Sequence, residues 1–259
     1  MKCPRTLLML VCILASAAPT RADLALKPGE SLTYRVGWGI FSHAGEIKVT
    51  ARSETNDHTP CTAVTTTTTT RGFLSRLFRF EAQSESVFER GTDRMLVHTE
   101  TSASSKKKTN IALEFNYANS TARFTDFMDS ANNQTVSIPP GDPMDLITSL
   151  IQTRSWNIKP GEKRDINVLF EKEIYQLTVH ALRFEPVTSS LGTFNTLVLE
   201  PRMEKTEPKG MFKRGSQVHV WIAQDDEHLP VKFEVEFAFG AGVATLVNYE
   251  PPPGAAAAE

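Results

Sequence analysis

Val231-Lys232-Phe233-Glu234-Val235-Glu236-Phe237-Ala238-Phe239 sets five apolar side chains against Lys, Glu, Glu and Ala at strict period two. That period turns one face of an extended strand to a core and the other to water. The same pattern recurs outward from this stretch. Leu32, Tyr34, Val36 and Trp38 alternate with Thr33, Arg35 and Gly37; Ile47, Val49 and Ala51 with Lys48 and Thr50; Ile111, Leu113, Phe115 and Tyr117 with Ala112, Glu114 and Asn116. Past Gly240-Ala241-Gly242, the apolar face is expected on Val243, Thr245, Val247 and Tyr249. About a dozen such segments, separated by turn residues, predict a mainly β class. The expected fold is a single strongly curved antiparallel sheet or open barrel with one or two short helices packed on it.

Asp142-Pro143-Met144-Asp145 reads as a helix start, with Asp142 as cap and Pro143 in the first turn. The helix is expected over Asp142–Arg154, with Met144, Ile147, Leu150 and Ile151 on one apolar stripe against the concave face of the sheet. A shorter helix is expected over Gly72–Arg79. Leu26-Lys27-Pro28-Gly29-Glu30 is echoed by Ile158-Lys159-Pro160-Gly161-Glu162, which reads as a recurring turn solution and not a domain boundary.

Of the 259 residues, the first 22 have the layout of a secretory signal: Lys2 and Arg5, an apolar run from Leu7 to Ala18, then small residues with cleavage after Ala22. Without them, 25 Lys and Arg face 30 Asp and Glu, so the formal charge moves from −2 to −5. That balance argues against nucleic acid as a partner. No later stretch approaches the ~20 apolar residues of a membrane-spanning helix. Cys3 and Cys12 lie in the leader, which leaves Cys61 without a disulfide partner. The expected location is the bacterial periplasm. The expected organisation is a leader (1–22), one β-rich domain (23–250) and a disordered tail (251–259).

Several motifs in order carry a family resemblance: Glu30-Ser-Leu-Thr-Tyr-Arg-Val-Gly-Trp-Gly-Ile with Ala44-Gly45-Glu46, Thr70-Arg71-Gly72-Phe73-Leu74-Ser75-Arg76-Leu77-Phe78, and Ile138-Pro139-Pro140-Gly141-Asp142-Pro143. Leu191-Gly192-Thr193-Phe194-Asn195-Thr196 and Trp221-Ile222-Ala223-Gln224-Asp225-Asp226 follow. Together they resemble a bacterial exported family of unknown function, DUF3108, from about Leu24 to Glu250. The resemblance implies an exported, mostly β protein with no assigned reaction. Its shape is similar to the curved sheet of periplasmic lipoprotein carriers of the LolA type.

No constellation in the sequence points to catalysis. No Gly-x-Ser-x-Gly elbow occurs, and Ser104-Ser105-Lys106-Lys107 reads as a solvated turn. The six His residues are scattered, so no metal and no cofactor is expected. Glu81, Glu85 and Glu89 recur every four residues, and paired carboxylates keep a glycan-acting enzyme as a third reading. The leading reading is non-catalytic binding of an apolar envelope ligand, a lipid or acyl chain, between sheet and helix. On that reading Met144, Ile147, Leu150 and Ile151 form a lid, and Trp38 and Phe41 close one end. Phe73, Leu74, Leu77 and Phe78 either plug the core or line a pocket mouth, with Arg71, Arg76, Arg79, Lys213 and Arg214 near phosphates or a membrane. The alternative is an interaction or structural module with a solid core, recruiting an envelope protein by a sheet edge. A carrier needs an apolar cavity of ~300 Å³ or more.

Overall fold

The computed structural model describes residues 23–72, 74–77, 79–208, 212, 216–237 and 240–254. The expected leader lies outside them. Fifteen strands are present among the described residues. They are β1 (Ser31–Trp38), β2 (Phe41–Asn56), β3 (Thr59–Thr70), β4 (Phe80–Glu89), β5 (Met95–Ser104), β6 (Lys108–Asn116), β7 (Thr121–Asp126), β8 (Gln134–Ser137) and β9 (Met144–Asp145). They continue with β10 (Lys163–Phe170), β11 (Glu173–Ser189), β12 (Gly192–Arg202), β13 (Gln217–Ala223), β14 (Pro230–Phe237) and β15 (Gly240–Glu250). All belong to one sheet, β8-β7-β6-β5-β4-β3-β2-β1-β15-β14-β13-β12-β11-β10-β9. Every ladder is antiparallel except the short parallel pairing of β9 with β10. The class is mainly β, as the alternation predicts.

The sheet curls steeply without closing. Ser86 on β4 and Asp145 on β9 are ten strand positions apart, about 48 Å in a flat sheet. The Ser86 hydroxyl nevertheless donates to Asp145 Oδ2 at 2.7 Å. Curling makes the alternating apolar side chains converge: Leu32, Val49, Phe88, Met95, Leu113 and Leu246 are all fully buried in one core cluster.

The Pro-Gly echo extends past the turn. Lys27 N–H donates to Glu30 Oε2 and Lys159 N–H to Glu162 Oε2, at 3.0 and 2.7 Å. Gly29 N–H and Gly161 N–H donate to the carbonyls of Ala51 and Ala181, at 2.7 and 2.8 Å. Each turn then opens a run of strands, β1 to β6 and β10 to β15, whose first members have 8, 16 and 12 residues against 8, 17 and 11. Two six-stranded halves of the same plan therefore lie end to end, joined where β1 pairs with β15. Gly29 is required twice over: its φ is +92°, and a Cβ there would lie 2.3 Å from Pro253 Cδ.

The segment between the halves supplies β7, β8, β9 and helix α2 (Leu146–Gln152). This helix is shorter than the expected Asp142–Arg154. Asp145, and not Asp142, is the cap, accepting from Thr148 N–H at 3.0 Å. Met144 and Asp145 are held extended by β10, at the register of Val168 and Leu169, so the helix begins only after them. A 3₁₀ turn, Thr153–Ser155, follows. Helix α1 keeps one turn, Leu74–Leu77, of the expected Gly72–Arg79.

The apolar face of β15 is also shifted by one residue from expectation. Ala244 and Leu246 are buried, while Val243 and Val247 are only partly covered. An irregularity opposite Thr33 and Tyr34 brings Tyr249 back to the core side.

Candidate functional site

Strand β1 presents Tyr34, Val36 and Trp38 on its concave face, β2 adds Ile47, and β13 and β14 add Val218, Phe233 and Val235. Across from them lie Leu146, Ile147 and Leu150 of α2. Between helix and sheet is a cavity of about 260 Å³. It exists because β15 contributes Gly242 and Ala244 to that wall, where larger side chains would fill it. Trp38 lies in register with Gly242, whose hypothetical Cβ would meet the Trp38 ring at 3.1 Å. The Tyr34 hydroxyl is turned out of the apolar space to donate to the Pro230 carbonyl at 2.9 Å. Its ring stacks edge-on against Phe233 at 5.1 Å.

Three buried polar ties hold α2 in place. Gln152 Oε1 accepts from Ala25 N–H at 2.8 Å, and its amide donates to the Asp23 carbonyl at 2.9 Å. Arg154, just past the helix, pairs with Glu30, which is only 1% exposed, and also donates to the Glu227 carbonyl. At the other end, Ser86, His98 and Asp145 form a chain: Ser86 Oγ bonds His98 Nδ1 at 2.8 Å and donates to Asp145 at 2.7 Å. Because the serine proton points to Asp145, His98 Nδ1 is the donor to Ser86 and cannot serve as its base. Burial lowers the His98 pKa, against the opposing pull of Asp145. The trio is an interior strut, not a nucleophilic triad.

Of the expected lid residues, Ile147 and Leu150 border the apolar cavity. Ile151 faces the main core and is fully buried. Met144, on β9, borders a separate polar groove with Arg164 and Asn167. Trp38 is at the cavity wall; Phe41, paired with it across the β1–β2 turn, is half-buried and does not border the cavity. Phe73 and Phe78 lie outside the described residues, as do Lys213, Arg214 and the side chains of Leu74 and Leu77. Arg71 and Arg79 are paired with Glu46 and Glu81 at 3.1 and 2.8 Å. Arg76 is exposed.

The acidic series does not form a sugar-binding pair. Glu85 is held by Arg52 at 2.7 Å, Glu81 by Arg79, and both are on the convex face. Trp221 is 3% exposed, donates to Glu185 at 2.7 Å and lies under Lys232 Nζ at 3.9 Å. With His219 tilted against it at 5.7 Å, this is a packed pair.

A family model described as a protein of unknown function, DUF3108, matches residues 33–247. No curated protein matches the sequence. The fold is similar to that of a β-barrel-like protein of a domain of unknown function, DUF1849, from Brucella abortus, with a TM-score of 0.52 at 7% identity. That likeness covers 87% of this chain and 98% of that one. A lipoprotein candidate from Parabacteroides distasonis matches at 10% identity, over 89% and 100% of the two chains, with a TM-score of 0.35. The lipoprotein LppX of Mycobacterium tuberculosis matches at 11%, over 86% and 87%, with a TM-score of 0.26. At these last two scores neither speaks to fold or function.

Proposed function

The chain belongs to the DUF3108 family of proteins of unknown function, and we propose that it binds an apolar molecule, a lipid or acyl chain, without catalysis in the periplasm. One observation carries this reading: a cavity of about 260 Å³ between α2 and the sheet, walled by aliphatic and aromatic side chains and by Gly242 and Ala244. Such a space gains from filling with hydrocarbon. Its volume lies just below the ~300 Å³ at which small-molecule sites begin, which suits a short or partly inserted chain. The leader-like first 22 residues support export. No helix among the described residues is long and apolar enough to cross a membrane.

Native mass spectrometry of protein purified from the periplasm, followed by solvent extraction, tests the proposal. The expected result is a co-purifying lipid at fixed stoichiometry. A clean apo mass that persists after incubation with envelope lipids would overturn it.

A further inference from the structure

A second cavity, about 530 Å³, opens on the same concave face between β4–β7 and the β10–β11 turn. Its floor is apolar, formed by Phe80, Ile111 and Phe124, whereas its walls carry charge. Asp126 is already committed, accepting from Met128 N–H, Asp129 N–H and the Asn132 amide at 2.8, 3.1 and 2.9 Å. Glu100, Glu171, Lys107, Lys108 and Lys172 are different: among the described residues their side chains make no hydrogen bond or ion pair. Glu100 is half-buried, and burial together with Glu171 raises its pKa while Lys107 opposes the rise. A half-buried carboxyl without a partner is costly unless something else supplies one.

The sheet register sets this cavity in line with the apolar one. Tyr34, Ile47, Thr68, Ala82, Ser102 and Thr109 form one row across β1 to β6. The first two border the apolar cavity and the last two the charged one. Ile47 and Ser102 are three strand spacings apart, roughly 14 Å. The concave face thus runs from hydrocarbon to charge over the span of one amphiphile.

We infer that the ligand is an amphiphile with a zwitterionic head, an ammonium joined to a phosphate, its tail in the apolar cavity and its head in the charged one. The inference rests on the apolar-binding reading above. Charge balance selects the head: two uncommitted carboxylates and three uncommitted lysines share the cavity. A phosphate alone gains the lysines but meets Glu100 and Glu171; an amine alone meets the reverse. A head bearing both satisfies both sets.

The test compares short-chain phosphatidylethanolamine, short-chain phosphatidylglycerol, octanol and free phosphoethanolamine on the mature chain, by displacement of a fluorescent acyl probe. Phosphatidylethanolamine is expected to bind about tenfold or more tighter than phosphatidylglycerol, the size of one charge-assisted contact. Glu100→Gln should close most of that gap, and Glu171→Gln, at an exposed turn, serves as the second variant if the first does not fold. Replacing Lys107, Lys108 and Lys172 with Ala should weaken both phospholipids. Equal affinity for the two phospholipids in the wild type, or a gap untouched by both Gln variants, overturns the inference. So does free phosphoethanolamine binding as tightly as the lipid. Octanol separates the two levels: if it binds while the heads go undistinguished, only this inference fails. If it does not bind, the apolar-binding reading fails with it.

Discussion

Lengthening an alkanol one methylene at a time probes the apolar cavity most directly. The loss from leaving a cavity empty is about 24 cal/mol per Å³, so filling 260 Å³ is worth at most ~6 kcal/mol. Each buried methylene contributes ~0.8 kcal/mol, so the cavity is full at about eight methylenes. The cost of immobilising a ligand is nearly common to the series, which makes the slope firmer than any absolute affinity. Affinity should therefore rise about fourfold per methylene up to roughly eight and then level off. Displacement of a fluorescent acyl probe by alkanols of increasing length reads this directly. Gly242→Val should move the plateau to shorter chains, because its Cβ starts 3.1 Å from the Trp38 ring. The reasoning is refuted if affinity ignores chain length, if the slope persists beyond about twelve carbons, or if Gly242→Val leaves the plateau in place.

Other expectations concern what holds the site together. Leu150→Ala, at a residue 4% exposed, should cost about 2–5 kcal/mol in chemical denaturation and shift the alkanol plateau to longer chains. Arg154→Met leaves the buried Glu30 carboxylate with the Lys27 N–H but no charged partner and should cost about 3–5 kcal/mol; adding Glu30→Leu should recover only part of it, since the Lys27 N–H then loses its acceptor. His98 has a lower pKa folded than unfolded, so the unfolded chain takes up the proton first. Its contribution is complete above about pH 6.5 and is lost as pH falls towards the depressed folded value. Melting temperature across that range should fall on acidification, and His98→Gln should flatten the slope; an unchanged slope would remove His98 from the account.

Strand content was legible because period-two alternation survives without tertiary information. Leu32, Tyr34 and Val231 do face the core where the pattern puts them. The pattern failed on β15 for a reason bound up with the site. Gly242 and Ala244 are too small to register as apolar, so the larger Val243 and Val247 marked the wrong face. Residues that create empty space are those a hydrophobic pattern overlooks. The helix start was misplaced because Asp142 and Asp145 both satisfy local capping rules. The choice between them is made by β10, a strand some twenty residues later in the chain. The Ser86–His98–Asp145 strut has no sequence spacing to detect, since its members come from β4, β5 and β9 and meet only once the sheet has curled. The charged cavity likewise unites β5, β6 and a turn beyond residue 170.

The two free edges of the sheet, β8 and β9, are consecutive in the chain and separated only by residues 138–143. What crosses between the walls there is side-chain work: Ser86 with Asp145, and Arg94 with Asp142 on the strap. No backbone ladder spans the gap. A shell built this way can part along one line without unpairing a single strand, as a coat opens at its buttons. The strap of six residues limits the parting to roughly 24 Å, even fully stretched. That strap reaches α2 only through the two residues of β9, so a widening of the seam bears first on the short β9–β10 pairing and then on the helix that roofs the apolar cavity.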